Sequence, residues 1–345
     1  MSDYSNTNDA NSEILVSVSC TSFNHGEYIR RCIEGFLMQK TNFEFEILIH
    51  DDASTDNTQE IIKEFWAKYP DKVKPILQTE NQYSKGERGM MLRFNFPRAR
   101  GKYIAICEGD DYWSDPQKLQ KQVDFLEQNP DYVLCFHDVD VLLSSGELKS
   151  DFITKIPEDY QDLATLAKVG NYIHTPSVIF RNQVQNMPAY ALKATTGDYF
   201  LYCYLGQFGK FKHLNESMAV YRYGVGVWSQ NDEFTRLFST QITNCYLAKY
   251  FSEQGHDKIA DLFIDRICEF IKNNIKQIEK SHIEKLAIIP SINLHISITL
   301  LEERSKLQNT LLRIKPSIVD NVSVGRLVGI VCQRIMKKIS KGFKK

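Results

Sequence analysis

The stretch KYIAICEGDD, residues 102–111, is an apolar run that ends in acids. Its first half, Tyr103 to Ile106, reads as an apolar β-strand. A strand leaving a sheet needs only a simple turn, yet Glu108, Asp110 and Asp111 crowd within four residues here. Carboxylates so close repel one another unless they are protonated, hydrogen-bonded or bound to a cation. Two readings stay open at this point: a solvated Asp-Gly type turn, or one half of a site whose other half is positive.

The neighbouring segments alternate strand and helix. ILVSVSC (14–20), FEFEILIHDD (43–52), VKPILQ (73–78) and YVLCFHDVDVL (132–142) carry strand signals. Between them, EYIRRCIEGFLMQ (27–39) places Ile29, Ile33, Phe36 and Leu37 at helical spacing. STDNTQEIIKEFWAKYP (54–70) opens on Ser, Thr, Asp and Asn caps and ends near Pro70. DPQKLQKQVDFLEQNP (115–130) puts Leu119, Val123 and Leu126 on one helical face, with Pro116 suited to a first turn. Such alternation predicts an α/β fold, a mostly parallel sheet flanked by helices. Open α/β sheets bind ligands outside the carboxyl ends of their strands. Those ends hold Thr21–Asn24, Asp51–Asp52 and Asp110–Asp111, three polar groups aimed at one rim. Further on, SVIFRN (177–182) and MAVYRYG (218–224) read as strands, with GDYFLYCYLGQFG (197–209) as a helix between them. From about residue 232 the pattern is helical.

Composition narrows the class. The chain has 345 residues, 43% hydrophobic and 25% charged, which is ordinary globular usage. A formal net charge of −1 gives no electrostatic reason to bind nucleic acid. The polar start MSDYSNTNDANSE has neither the basic nor the apolar part of a signal peptide and reads as a frayed tail, residues 1–12. No window offers the roughly 18 unbroken apolar residues of a membrane span. Eight cysteines without a CxxC pair point to a reducing cytoplasm, with no disulfide and no zinc site. The end, VGRLVGIVCQRIMKKISKGFKK (324–345), differs: seven basic residues, no acid, and an apolar stripe from Val324 to Ile339. A basic amphipathic helix suits an anionic membrane surface, which would make the protein peripheral at the inner face of a membrane. The plainer reading is a helix docked on its own domain.

Taken together, VSVSCTSFNHGEYIRRCIEGFLMQ, FEILIHDDASTDNTQEII and GKYIAICEGDDYWSDPQKLQKQVDFLEQNPDY resemble the family 2 glycosyltransferases. The likeness is close over 14–140 and looser to about 230. It implies a GT-A, Rossmann-like catalytic domain over 13–230, followed by a helical region over 231–345 that ends in the basic helix. It also implies sugar transfer, hexosyl or N-acetylhexosaminyl, with inversion. The donor would be a nucleotide-diphosphate sugar, UDP-linked, and the acceptor a hydroxyl of a glycan or lipid-linked saccharide in bacterial surface-polysaccharide synthesis. The cofactor would be Mn²⁺ or Mg²⁺.

By position, the resemblance implies that Thr21, Phe23 and Asn24 line the nucleoside pocket and that Asp52 reads the base, with Asp51 behind it. Asp110 faces the donor and Asp111 ligates the metal, with Asp110 beside it. Asp198, in TTGDYF, is the catalytic base, and Arg222 faces the diphosphate. Trp228, in the glycine-bearing YRYGVGVWS, would close a lid over the site. Related chains often carry Tyr-Arg-x-His there; this one reads Tyr-Arg-Tyr-Gly, so the histidine ligand is missing. Glu108 reads as an orienting group; His137 and His174 offer themselves as acceptor-site residues, against the plainer reading that each is simply hydrogen-bonded. The alternative function is a non-catalytic nucleotide-sugar binding module on the same scaffold.

Overall fold

The computed structural model describes residues 13–274 and, beyond them, 277, 278, 282, 285 and 286. The tail over 1–12 and the basic end over 324–345, with the readings given to them, lie outside the described residues.

The amino-terminal half is built as the alternation requires. β1 (Ile14–Ser22), α1 (Ile29–Leu37), β2 (Glu44–Asp51), α2 (Thr58–Lys68), β3 (Val73–Leu77) and β4 (Tyr103–Ile106) give a parallel sheet in the order β3-β2-β1-β4. Val18 lies in register between Ile47 and Ala105. Both faces are covered. Tyr103 and Ala105 enter one apolar core, with α1 and α2, while Ile104 and Ile106 enter the other. Burial on both faces is why this strand is apolar at every position. It stops at Ile106, earlier than the run suggests, because the acids turn away; the Asp111 N–H donates to the Glu108 carbonyl at 3.0 Å.

The second half mixes directions. β5 (Tyr112–Trp113), α3 (Lys118–Gln128), β6 (Tyr132–Leu142), β7 (Leu148–Ser150), α4 (Leu163–Val169), β8 (Ile179–Arg181), α5 (Gly197–Leu205) and β9 (Lys210–Arg222) come next. The sheet continues β4-β8-β6-β9-β5, with β7 paired to β6. β6 and β9 run parallel; β8 is antiparallel to both β4 and β6, and β5 to β9. The run MAVYRYG is thus the end of a 13-residue strand whose polar beginning, KFKHLNES, carries no strand signal of its own. α5 is buried from Tyr199 through Leu205, as a helix apolar on all sides must be. α6 (Val227–Gln230), α7 (Glu233–Glu253) and α8 (Asp257–Asn273) follow, and α7 and α8 share one core with α5. No helix among the described residues is long and apolar enough to cross a membrane.

One core residue breaks the rules of burial. Lys118 is fully buried at the start of α3. Its Nζ donates to Gln122 Oε1 at 2.8 Å and lies 4.3 Å over the Trp113 ring. Burial pushes this ammonium down to about 7. An unfolded lysine holds its proton to about 10.4, so the unfolded state binds more protons between those two values and stability rises with pH across that window. Lys118→Met is expected to stabilise the fold by about 1–4 kcal/mol below pH 7. That gain should shrink as pH climbs towards 10, read as denaturation midpoints of both proteins at pH 6, 8 and 9.5. A gain independent of pH would show that Lys118 does not carry the cost.

Candidate active site

The rim formed by the strand ends is tied together by short bonds. The Gly109 N–H donates to the Thr21 carbonyl at 2.9 Å and the Asp52 N–H to the Ser22 carbonyl at 3.0 Å, joining the ends of β1, β2 and β4. A side chain at 109 is excluded: its Cβ would lie 2.9 Å from both His25 Nδ1 and Ile29 Cδ1.

At the centre stand Glu108, Asp110 and Asp111, with ligand oxygens all within 4.8 Å of one another. Asp111 Oδ1 accepts the Arg222 backbone N–H at 2.7 Å. Its Oδ2, and Oδ1 of Asp110, are buried and accept nothing. Among the described residues, no ion pair forms with either carboxylate, although Arg222 is close. The Arg222 guanidinium donates to the Asp110 backbone carbonyl and lies 4.9 Å over the rings of both Tyr28 and Tyr112. Burial, then the charge of Asp110, pushes the Asp111 carboxyl well above the usual carboxylate range. Burial, then Asp110 and Asp198, pushes Glu108 up to about 8. Unpartnered buried carboxylate oxygens are costly. Three hard oxygen ligands with two bare lone-pair sites suit Mg²⁺ or Mn²⁺ and do not suit a soft ion. The donor set therefore fits the implied metal, and Glu108 lies within reach of the same position as Asp110 and Asp111.

Asp198 lies in the first turn of α5, where an acid is favoured by the helix dipole. Asn171 Nδ2 donates to its Oδ2 at 3.0 Å. Burial raises its carboxyl, against the pull of the Tyr199 N–H, of Asn171 and of the nearby His174. Glu108 feels the charge of Asp198 directly, and burial raises the hydroxyls of Tyr202 and Tyr221, helped at Tyr202 by Asp198 and Glu108 and at Tyr221 first by Asp111.

On the opposite flank the two neighbouring acids do different work. Asp51 is saturated: it accepts from Ser22 Oγ, from the N–H and Oγ of Ser54, and from Gln59 Nε2. Asp52 uses its two oxygens to hold the N–H groups of Gln82 and Tyr83 at 2.8 and 3.0 Å. Asn24 adopts φ +54°, with Oδ1 accepting the Thr55 N–H at 2.8 Å. Phe23 is 42% exposed at the rim. The segment after β9 approaches the acids closely, since a Cβ on Gly226 would lie 3.0 Å from Asp110 Oδ2. Asn171, Tyr221 and the Asp151–His174 pair also line this region; of these, the sequence singles out only His174. They come from loops and from a strand whose face is set by long-range pairing.

The family model for glycosyl transferase family 2 matches residues 17–187. A protein of Mycobacterium tuberculosis is 40% identical over 219 residues, 62% of this chain and 60% of that protein, so the chain matches less than two thirds of that relative's length. WfaP of Escherichia coli, named as a UDP-Glc:alpha-D-GlcNAc-diphosphoundecaprenol beta-1,3-glucosyltransferase, is 35% identical over 113 residues, 33% of this chain and 41% of that protein. Among solved structures, residues 1–349 of TarS from Staphylococcus aureus match with a TM-score of 0.57 at 14% identity, covering 90% of this chain and 95% of that one, a likeness of fold. The matched segment contains the ends of β1, β2 and β4, and with its GT-A architecture the chain belongs to the family 2 glycosyltransferases.

Proposed function

We propose that the protein is a metal-dependent, inverting glycosyltransferase. It would move a hexosyl or N-acetylhexosaminyl group from a UDP-sugar to a hydroxyl of a glycan or lipid-linked acceptor in polysaccharide synthesis. The observation that carries this reading is the pair of bare, buried oxygens on Asp110 and Asp111 beside Glu108. A binding site for a dication and a diphosphate explains their cost; a solvated turn does not. The printed name of the Escherichia coli relative supports a UDP-sugar donor and a lipid-linked acceptor.

In this reading Asp111, with Asp110 and Glu108, holds Mn²⁺ or Mg²⁺, which when bound offsets charge on the departing diphosphate. Thr21, Phe23, Asn24 and Asp52 form the nucleoside side of the pocket, and Arg222 supports the acids from behind. Asp198 takes the proton of the acceptor hydroxyl. The freed oxygen pair forms a bond to the anomeric carbon while the bond from that carbon to the β-phosphate oxygen breaks, and the electron pair leaves with UDP. One displacement from the face opposite the leaving group inverts the centre.

UDP release measured against a panel of UDP-sugars tests the reading. It should proceed with Mn²⁺ or Mg²⁺ and fall on the order of a hundredfold or more in chelator. Full activity in chelator would remove the metal from the reading. The rival, a non-catalytic module, is favoured if UDP binds but no UDP-sugar turns over.

A further inference from the structure

Beside the acids, on the side of Asp198, a ledge of exposed aromatic surface has no role in the reaction described so far. Phe152 is 56% exposed and Ile153 40% exposed, in the loop that follows β7. The Phe152 ring meets the Tyr223 ring edge-on, with centroids 5.9 Å apart and planes at 67°. This loop is pinned on both sides of the exposed ring. The Asp151 carboxylate accepts the N–H groups of Ile153 and Thr154 at 2.8 and 3.3 Å, and the Thr154 hydroxyl at 2.5 Å. Its Oδ2 also lies 3.0 Å from His174 Nε2. His174 in turn packs against Tyr221, ring centroids 5.0 Å apart. Tyr221 and Tyr223 flank Arg222, whose N–H and guanidinium hold the acid loop. An ordered aromatic ledge therefore runs directly into the candidate active site, with an Asp–His pair along its edge.

We propose that this ledge is the acceptor subsite, and that it takes a pyranose ring: the apolar C–H face of the sugar stacks on the exposed Phe152 ring, Tyr223 bounds it edge-on, and the sugar hydroxyls meet His174. A pyranose is apolar on one face and hydroxylated at its rim, and the ledge is aromatic on one face and polar at its edge. An amphipathic aromatic surface with a few placed polar groups recognises such a ligand. A lipid tail would need contiguous apolar surface, whereas this one is bordered by ionisable groups within two residues. The inference rests on the transferase reading above. It adds which residues face the acceptor and what part of the acceptor they face.

The test uses the full chain, with two probe series: methyl glycosides of glucose, galactose and N-acetylglucosamine, and the octyl glycosides of the same sugars. UDP binding is read separately by calorimetry. At least one methyl glycoside is expected to accelerate UDP release, and Phe152→Ala to raise its KM about tenfold, with the Kd of UDP moving less than about twofold. Phe152→Trp, which keeps an aromatic face, should stay within about twofold of the wild type KM. Acceleration by octyl glycosides alone would assign the ledge to a lipid tail and overturn the proposal. So would a KM unmoved by Phe152→Ala, or UDP binding and turnover that no methyl glycoside affects. Absence of UDP binding and of UDP release together would instead sink the transferase reading itself.

Discussion

Asp111→Asn is expected to lower turnover about a thousandfold while making the metal-free protein more stable. The two effects have one origin. Asp111 keeps one oxygen on the Arg222 N–H and leaves the other buried and bare. Asparagine can retain the first contact and removes the charge from the second. A carboxyl whose folded pKa lies above its unfolded value near ~3.9 is a penalty on folding that is absent at low pH and grows as pH rises through that value. The melting temperatures of variant and wild type in chelator should therefore coincide near pH 4 and separate towards pH 8, with the variant higher. Added Mn²⁺ should raise the wild type and leave the variant unmoved, because only the intact site binds the ion in preference to the unfolded chain. A variant that melts lower than wild type across this range would mean that Asp111 is a structural acid with a partner of its own.

Asp198→Asn should cost a factor of about 10²–10⁴ in turnover with little change in stability. Asparagine preserves the shape and can turn its oxygen to Asn171, so what is lost is the capacity to take a proton. Losing an acid from the first turn of a helix costs only about 0.3–1 kcal/mol. UDP affinity should match wild type and the Mn²⁺-dependent rise in melting temperature should persist, since Asp198 itself holds neither ligand in this reading and touches the metal site only through its charge on Glu108. In the wild type, the acid limb of the pH–rate profile should fall at a pH above that of a free aspartate, because burial raises this carboxyl. Wild-type turnover in the variant would return Asp198 to the role of a helix-start acid.

Much of this arrangement was legible in the chain because it is local. Strand β4 and the middle of β2 are apolar at successive positions, β1 carries its apolar residues between serines, and all three run into polar residues at the rim. The crowding of Asp110 and Asp111 raised the question of a site, and the family resemblance rather than spacing gave them their roles. Other parts are not local. The Glu108 carboxylate comes within 4.8 Å of the Asp110 and Asp111 oxygens because of the turn after Ile106, a geometry that spacing does not encode. The opening of β9, KFKHLNES, is a strand only because β6 lies beside it. Asn171 bonds Asp198 across 27 positions, and His174 bonds Asp151 across 23. No periodicity reports contacts of that kind. Lys118 looked like one more polar helix residue and is instead sealed in the core.

The carboxylate of Asp52 has a consequence for how donor choice can be studied. It is the anchor of the backbone at Gln82 and Tyr83, and Asn81 closes the same link by donating to the Asp52 carbonyl at 2.9 Å. Replacing Asp52 would release that loop and alter the nucleoside pocket in one stroke, so lost affinity could not be apportioned between them. Substitutions in the side chains of Gln82 and Tyr83, whose amides would remain tethered, keep the two questions apart.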